Sequence, residues 1–68
     1  MKIYTVTFDN EVLAVFTSYI LMREYVWREF EDEFRDLSQD MECDIDEQDC
    51  LDYCSELEVT LQSFTVEA

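Results

Sequence analysis

Nine carboxylates fall within the nineteen residues from Asp40 to Glu58 (Asp40, Glu42, Asp44, Asp46, Glu47, Asp49, Asp52, Glu56 and Glu58), and three thiols, Cys43, Cys50 and Cys54, are set among them. Side chains of these types can hold cations, move protons or present charge. Asp40, Glu42, Asp44 and Asp46 alternate like the start of a calcium loop, but the sixth position is Ile45 instead of Gly and the twelfth is Leu51 instead of Glu. Starting at Asp44 puts Asp49 and Ser55 at those positions and fails as well. The thiols supply three soft ligands where structural zinc takes four Cys or His, and the chain has no His. Cys50 and Cys54, four apart on a helix, read better as small core residues. Paired carboxylates do acid–base work only in a pocket that separates their pKa values, and 68 residues without Gly or His leave little room for one. The expectation is a protein that is not an enzyme and carries neither metal nor cofactor.

Presentation of charge is what remains. Arg35 is the last basic residue, and eleven carboxylates follow it unopposed, from Asp36 to Glu67. Eighteen acids against four bases give a formal charge of −14, beyond the magnitude of about 2–8 that keeps a small domain soluble. Self-repulsion of that size opposes folding, so the field points to a use: a basic partner surface. Were residues 40–58 mostly helical, they would span about 28 Å with one charge per roughly 3 Å, close to the 3.4 Å of one DNA strand. The candidate partner-binding residues are Asp40, Glu42, Asp44, Asp46, Glu47, Asp49, Asp52 and Glu56, with Glu24, Glu31, Asp32 and Asp36 on a preceding helix. Asp44, Asp46, Glu47, Asp49 and Asp52 are expected to matter most, because a short helix entered from a loop would present them closely spaced.

The elements that must position these charges follow from periodicity. Lys2 to Phe8 alternates as a strand, with Tyr4, Val6 and Phe8 on one side. Asp9-Asn10 reads as a two-residue hairpin loop into a second strand, Glu11 to Thr17, which pairs Val6 with Leu13 and Tyr4 with Val15 and turns both partners inward. Thr17 or Ser18 can cap a helix from Tyr19 to about Leu37. Its inner side gathers Tyr19, Met22, Val26, Trp27, Phe30, Phe34 and Leu37; its outer side gathers Glu24, Arg28, Glu31, Asp32, Arg35 and Asp36. Glu24–Arg28 and Glu31–Arg35 stand at the helical ion-pair spacing. Leu21 and Tyr25 fall on the polar side.

Ser38 to Asp44 reads as a loop, and Asp44 with Glu47 as a capping box that opens a short helix to about Ser55. Cys50, Leu51, Cys54 and Leu57 would be its inward stripe. Leu57, Val59 and Leu61 alternate as a third strand, and the even positions of Phe64 and Val66 imply a bulge near Gln62-Ser63. The order is β-β-α-α-β. The expected fold is α+β: a single domain, 1–68, with a small antiparallel three-stranded sheet and the long helix packed on one face.

Hydrophobic residues make up 49% of the chain and ten are aromatic, which separates it from a disordered acidic tail. No segment has the roughly 20 apolar residues of a membrane span, and the N-terminus lacks a signal-peptide pattern. The odd number of cysteines then favours reduced thiols and a cytoplasmic setting.

In its short length, compact α+β pattern and acid-only segment from Asp36 to Glu67, the chain resembles the small acidic inhibitors that phages and mobile elements direct against host nucleic-acid enzymes. These are the anti-CRISPR proteins, the anti-restriction proteins and the inhibitors of uracil-DNA glycosylase. The resemblance spans the whole chain and is one of strategy; the anti-CRISPR group fits best, since it includes many unrelated folds of this size and charge. It implies binding to the basic nucleic-acid-binding surface of a Cas effector or similar host defence complex, by imitation of DNA charge, without direct contact to nucleic acid or membrane. Ten aromatics and three cysteines depart from a purely electrostatic binder and bring apolar anchors into play. The alternative is an acidic interaction module, an antitoxin or transcription modulator, that binds a basic protein without mimicry. A third is a halophile domain, which would gain stability up to molar salt.

Overall fold

A computed structural model describes residues 1–67. Its elements run β1 (Lys2–Phe8), β2 (Glu11–Phe16), α1 (Tyr19–Met41), a 3₁₀ helix (Cys50–Leu57) and β3 (Val59–Thr65). The three strands form an antiparallel sheet in the order β2-β1-β3, with α1 against β1 and β2 and the 3₁₀ helix against β3. The fold is α+β with a small sheet, as the β-β-α-α-β pattern predicts.

The first hairpin turns without glycine. Asp9 and Asn10 both take positive φ, 54° and 62°, the arrangement of a type I′ turn, whose twist matches the strands it joins. Phe8 pairs with Glu11 and Thr7 with Val12, but Val6 pairs with Ala14 and Tyr4 with Phe16. Leu13 is therefore an extra residue in β2, and the expected Val6–Leu13 and Tyr4–Val15 pairs do not form. The one-residue bulge reverses the facing of all that follows. Ala14 and Phe16 turn toward α1, where Phe16 meets Tyr25 with ring centroids 5.3 Å apart, while Val15 is left 58% exposed. Seating an aromatic ring buries more apolar area than seating valine, which is the physical gain of the bulge. It also explains why Tyr25, on the nominally polar side of α1, is half-buried.

β3 is in unbroken register with β1, from Phe8↔Val59 to Lys2↔Thr65. There is no bulge at Gln62-Ser63. Val59, Leu61 and Ser63 share the core side with Phe8, Val6 and Tyr4, and Phe64 stands on the other side opposite Ile3. The strand begins two residues later than Leu57 because the 3₁₀ helix runs through Leu57 and Glu58 reverses the chain at φ 63°.

The hydroxyl of Ser18 caps α1 by accepting from the Leu21 N–H at 3.3 Å. Met22, Val26, Phe30 and Phe34 are its buried face, as the spacing predicts, and Phe30 departs from helical geometry (φ −119°, ψ 20°) where the helix kinks. α1 passes Leu37 and continues to Met41, taking in residues expected to be loop. It stops at Glu42, whose left-handed backbone lets the Glu42 and Cys43 N–H groups close on the carbonyls of Gln39 and Ser38. Ser38 then accepts from the Ile45 N–H at 3.1 Å, and Ile45 is buried.

That anchor moves the start of the next helical segment. Asp44 and Glu47 form no capping box; the Asp46 carboxylate accepts from the Asp49 N–H at 3.0 Å, and the segment that follows is a 3₁₀ helix. Cys50 and Cys54 are buried and Leu51 and Leu57 half-buried, as the inward stripe predicts. Residues 40–58 therefore form no single rod, and the charge spacing of a continuous helix does not apply to them.

The core is one layer of side chains between the sheet and the two helices: Val6, Met22, Val26, Phe30, Phe34, Ile45, Cys50, Cys54 and Val59. The Cα extents, 45 × 23 × 15 Å, are those of a thin slab. Among the described residues, no element covers the far side of the sheet. Among the described residues, no helix is long and apolar enough to cross a membrane.

Candidate functional site

The two-layer arrangement segregates charge. Fourteen of the eighteen carboxylates lie between Tyr19 and Leu57, in the helical layer, where only three arginines accompany them. Glu31–Arg35 is the ion pair that forms among the described residues, at 2.7 Å; Glu24 and Arg28 do not pair. Of the residues singled out from sequence, Glu24, Asp32, Asp36, Asp40, Glu42, Asp44, Asp46, Asp49, Asp52 and Glu56 are exposed, and Glu31 and Glu47 are half-buried.

They fall into two groups. Asp32, Asp36 and Asp40 are four apart on α1, about 6 Å of helix axis between neighbours, and Glu29 and Glu33 are exposed beside them. Those two glutamates were missed, although Glu33 stands at the −3 position from Asp36 and the same periodicity would have found it. The second group joins the loop after α1 to the 3₁₀ helix. Glu42 and Asp44 border one shallow cleft with Ser38, Gln39 and Cys43. Cys43 also lies against the Tyr53 phenol, and this contact, ahead of burial and the nearby Asp49 and Asp52, holds the Tyr53 pKa above its ordinary value. Cys43 thus lies near both the Glu42–Asp44 corner and the Asp49–Asp52 turn. Asp46 differs from its neighbours, since its carboxylate is occupied in the turn.

The charges on α1 run against helix electrostatics. A helix favours acids in its first turn and bases in its last, by about 0.3–1 kcal/mol each at the surface. α1 has no acid in its first turn and no base in its last, where Asp40 stands instead. Asp32–Asp36 and Asp36–Asp40 add like-charge neighbours at i,i+4, each unfavourable by a few tenths of a kcal/mol. On these local terms Asp36 and Asp40, which have no basic residue three or four positions away, disfavour the helix.

The thiols belong to the core. All three cysteines are free, and the Cys50 and Cys54 thiols donate to the carbonyls of Glu47 and Cys50 at 3.2 and 3.5 Å. Burial first, then neighbouring negative groups, pushes the Cys50 pKa up to about 11 and the Cys54 pKa up to about 12. Among the described residues, no three His, Cys, Asp or Glu side chains converge on a point that could hold a metal ion. The raised values have a consequence for stability. Below about pH 9 the thiols are protonated folded and unfolded, and make no pH-dependent difference. Above it the unfolded thiols ionise while the folded ones keep their protons, so stability falls until pH passes the folded values. The melting temperature should drop as pH is raised from about 8.5 to 11, and Cys54→Ala should flatten that slope in thermal melts followed by circular dichroism. An unchanged slope in the variant would place the alkaline sensitivity elsewhere.

Comparison with protein-family models, curated proteins and solved structures finds no match for this chain.

Proposed function

We propose that the protein is an acidic inhibitor of the anti-CRISPR type, which covers the basic nucleic-acid-binding surface of a host defence nuclease complex and keeps target DNA from engaging. One observation carries this reading: the helical layer concentrates fourteen carboxylates, and it sets Asp36 and Asp40 on α1 at positions that cost the helix stability. Residues that oppose local preference without a packing reason are what a binding face leaves behind. The α1 row does not reproduce the charge spacing of a DNA strand, since roughly 6 Å per carboxylate is wider than 3.4 Å per phosphate. The imitation is of field and not of register, and the Asp44–Asp49–Asp52 corner extends that field past the end of α1.

The expected interaction is strongly electrostatic. Exposed charges are screened over about 30 Å at 0.01 M salt and about 8 Å at 0.15 M, so affinity for the target complex should fall steeply across that range, mainly through the association rate. Target duplex DNA should compete for the same surface. Surface-bound effector titrated with inhibitor at several salt concentrations, with and without DNA, measures both. A flat salt response would remove the electrostatic basis. Salt-sensitive binding that DNA does not displace would instead favour an acidic interaction module that binds a basic protein without mimicry.

A further inference from the structure

β3 is an edge strand without the features that usually keep an edge from pairing. Among the described residues no strand lies on its outer side. Its residues, Val59–Thr65, include no charge and no proline, and its register with β1 has no bulge. Protein edges are blunted by such devices because their unpaired backbone groups accept another strand; β2, the opposite edge, has both a bulge and Glu11. The donors and acceptors of the β3 edge follow from one pair at its end. The Val66 N–H donates to the Met1 carbonyl at 2.7 Å and the Met1 ammonium to the Val66 carbonyl at 2.9 Å. In an antiparallel ladder such mutual pairs recur at every second residue, so the register makes Ile3–Phe64, Thr5–Gln62 and Thr7–Thr60 the next ones. The backbone groups of Leu61, Ser63 and Thr65 therefore point away from β1, along the free edge.

A cavity opens beside these same residues. On the core side of β3 burial falls off along the strand: Val59 is buried, Leu61 half-buried and Ser63 exposed. Ser63 stands where the alternation calls for an apolar side chain, and there the two layers part around a cavity of about 300 Å³. Tyr4, Tyr19, Leu51 and Leu61 line it with the buried Met22. The Tyr4 and Tyr19 rings meet edge to face at 5.8 Å. Its volume is at the low end for ligand pockets, about 300–1,000 Å³, which suits a single side chain.

We infer that β3 binds an extended, basic peptide segment of a partner protein, added antiparallel to the free edge with one apolar side chain seated in this cavity. An edge that offers a donor and an acceptor at every second residue, about 6.8 Å apart, is matched by another polypeptide backbone and not by a nucleic acid or a lipid. Charge selects the kind of segment. Repulsion from a −14 chain excludes an acidic strand and a second copy of this one, and Glu56 and Glu58 stand exposed just ahead of β3. That repulsion also does for β3 what edge charges do elsewhere, so the edge stays open without pairing to itself. The register is set by Ser63: a residue opposite it exchanges both backbone hydrogen bonds with it and shares its side of the sheet, which directs that side chain into the cavity. This contact lies apart from the acidic row on α1 and does not depend on the proposed function.

The probe is a capped peptide, Lys-Thr-Thr-Leu-Thr-Thr-Lys, titrated into the isotope-labelled whole protein at about 0.15 M NaCl, where exposed charges are screened over about 8 Å. Amide chemical shifts and hydrogen exchange report where it sits. The expected result is saturable binding with shifts centred on Leu61, Ser63 and Thr65, and slowed exchange of those three N–H groups. Methylating the backbone nitrogen of the peptide's leucine removes the donor to the Ser63 carbonyl at unchanged charge, and should weaken binding about tenfold. Replacing that leucine by alanine empties the cavity and should weaken it by a similar factor. On the protein side, Ser63→Pro deletes an N–H that β1 does not use, a change that edge strands tolerate. It should abolish peptide binding with the circular dichroism spectrum unchanged; were the variant to unfold, the two altered peptides still decide. The combined Asp32→Lys, Asp36→Lys and Asp40→Lys variant should keep the peptide on β3, which separates this inference from the acidic-face reading. Shifts confined to α1 and the 3₁₀ helix, equal binding of the methylated peptide, or no saturable binding up to about 1 mM would each overturn it.

Discussion

Reversing Asp32, Asp36 and Asp40 together to lysine is expected to weaken binding to the basic target by about 100- to 1,000-fold, and to leave the protein as stable as before or slightly more so. Each reversal replaces an attraction with a repulsion at a surface chosen for opposite charge, where like-charge contact costs several kcal/mol. Even about 1–1.5 kcal/mol per site gives the stated loss, since 1.4 kcal/mol is a factor of ten. Stability moves the other way. The substitutions exchange two acid–acid i,i+4 pairs for two lysine–lysine pairs, which leaves that repulsion in place, but they reduce the excess negative charge of the −14 chain and place a cation in the last turn of α1, where the dipole favours one. All three side chains are exposed, so no core contact is lost. The companion variant reverses Asp44, Asp49 and Asp52 and leaves Asp46 alone, because its carboxylate holds the turn before the 3₁₀ helix. Affinity measured for both, beside thermal melts, divides the field between α1 and the corner. Full binding by both variants would sink the acidic-face reading altogether.

The parts of the fold that sequence makes legible are those where one local pattern has no competitor. Asp9-Asn10 between two alternating runs gives the hairpin, and Met22, Val26, Phe30 and Phe34 give the buried stripe of α1, because each spacing admits a single element. The expectations that fail do so where a tertiary contact outweighs local phase. The Leu13 bulge exists because Phe16 finds Tyr25, and no reading of β2 alone contains that ring. In β3 the apparent slip at Phe64 is no slip: alternation continues, and Phe64 faces the uncovered side, a placement that looks wrong only if every large apolar residue must point inward. Ile45 was hidden among acids, and its burial depends on Ser38, seven residues earlier, accepting its N–H. The same anchor turns the acidic stretch from a rod into a corner. For the candidate site, the residue types were legible from charge alone, whereas their division into an α1 row and a loop corner required knowing where α1 stops. Glu42 sets that point by taking a left-handed backbone where glycine is the usual residue.

Phe34→Ala is expected to cost about 3–5 kcal/mol, the range for emptying a buried aromatic site, and more than Phe30→Ala. Phe34 is fully buried and stacks on Trp27 at 5.8 Å and 17°. Phe30 keeps 8% of its surface exposed and sits at the kink, its ring tilted against Phe8 across 5.6 Å. The hole left by Phe34 has little means of closing, since α1 and the 3₁₀ helix are held on either side by the turn at Glu42 and the Ser38–Ile45 bond. A domain this small draws about 3–5 kcal/mol from its core, so the variant should be largely unfolded at low salt. The −14 charge works against the folded state there, and screening lifts that penalty as salt rises. Circular dichroism at 25 °C from about 0.01 to 0.5 M NaCl should therefore show Phe34→Ala regaining helix with salt, while the unmodified protein changes little. A Phe34→Ala protein that melts at the unmodified temperature in 0.01 M salt would mean that α1 is not seated on the sheet through this residue. The outward direction of Asp32, Asp36 and Asp40 would then lose its basis, because the same helix rotation that buries Phe34 is what exposes them.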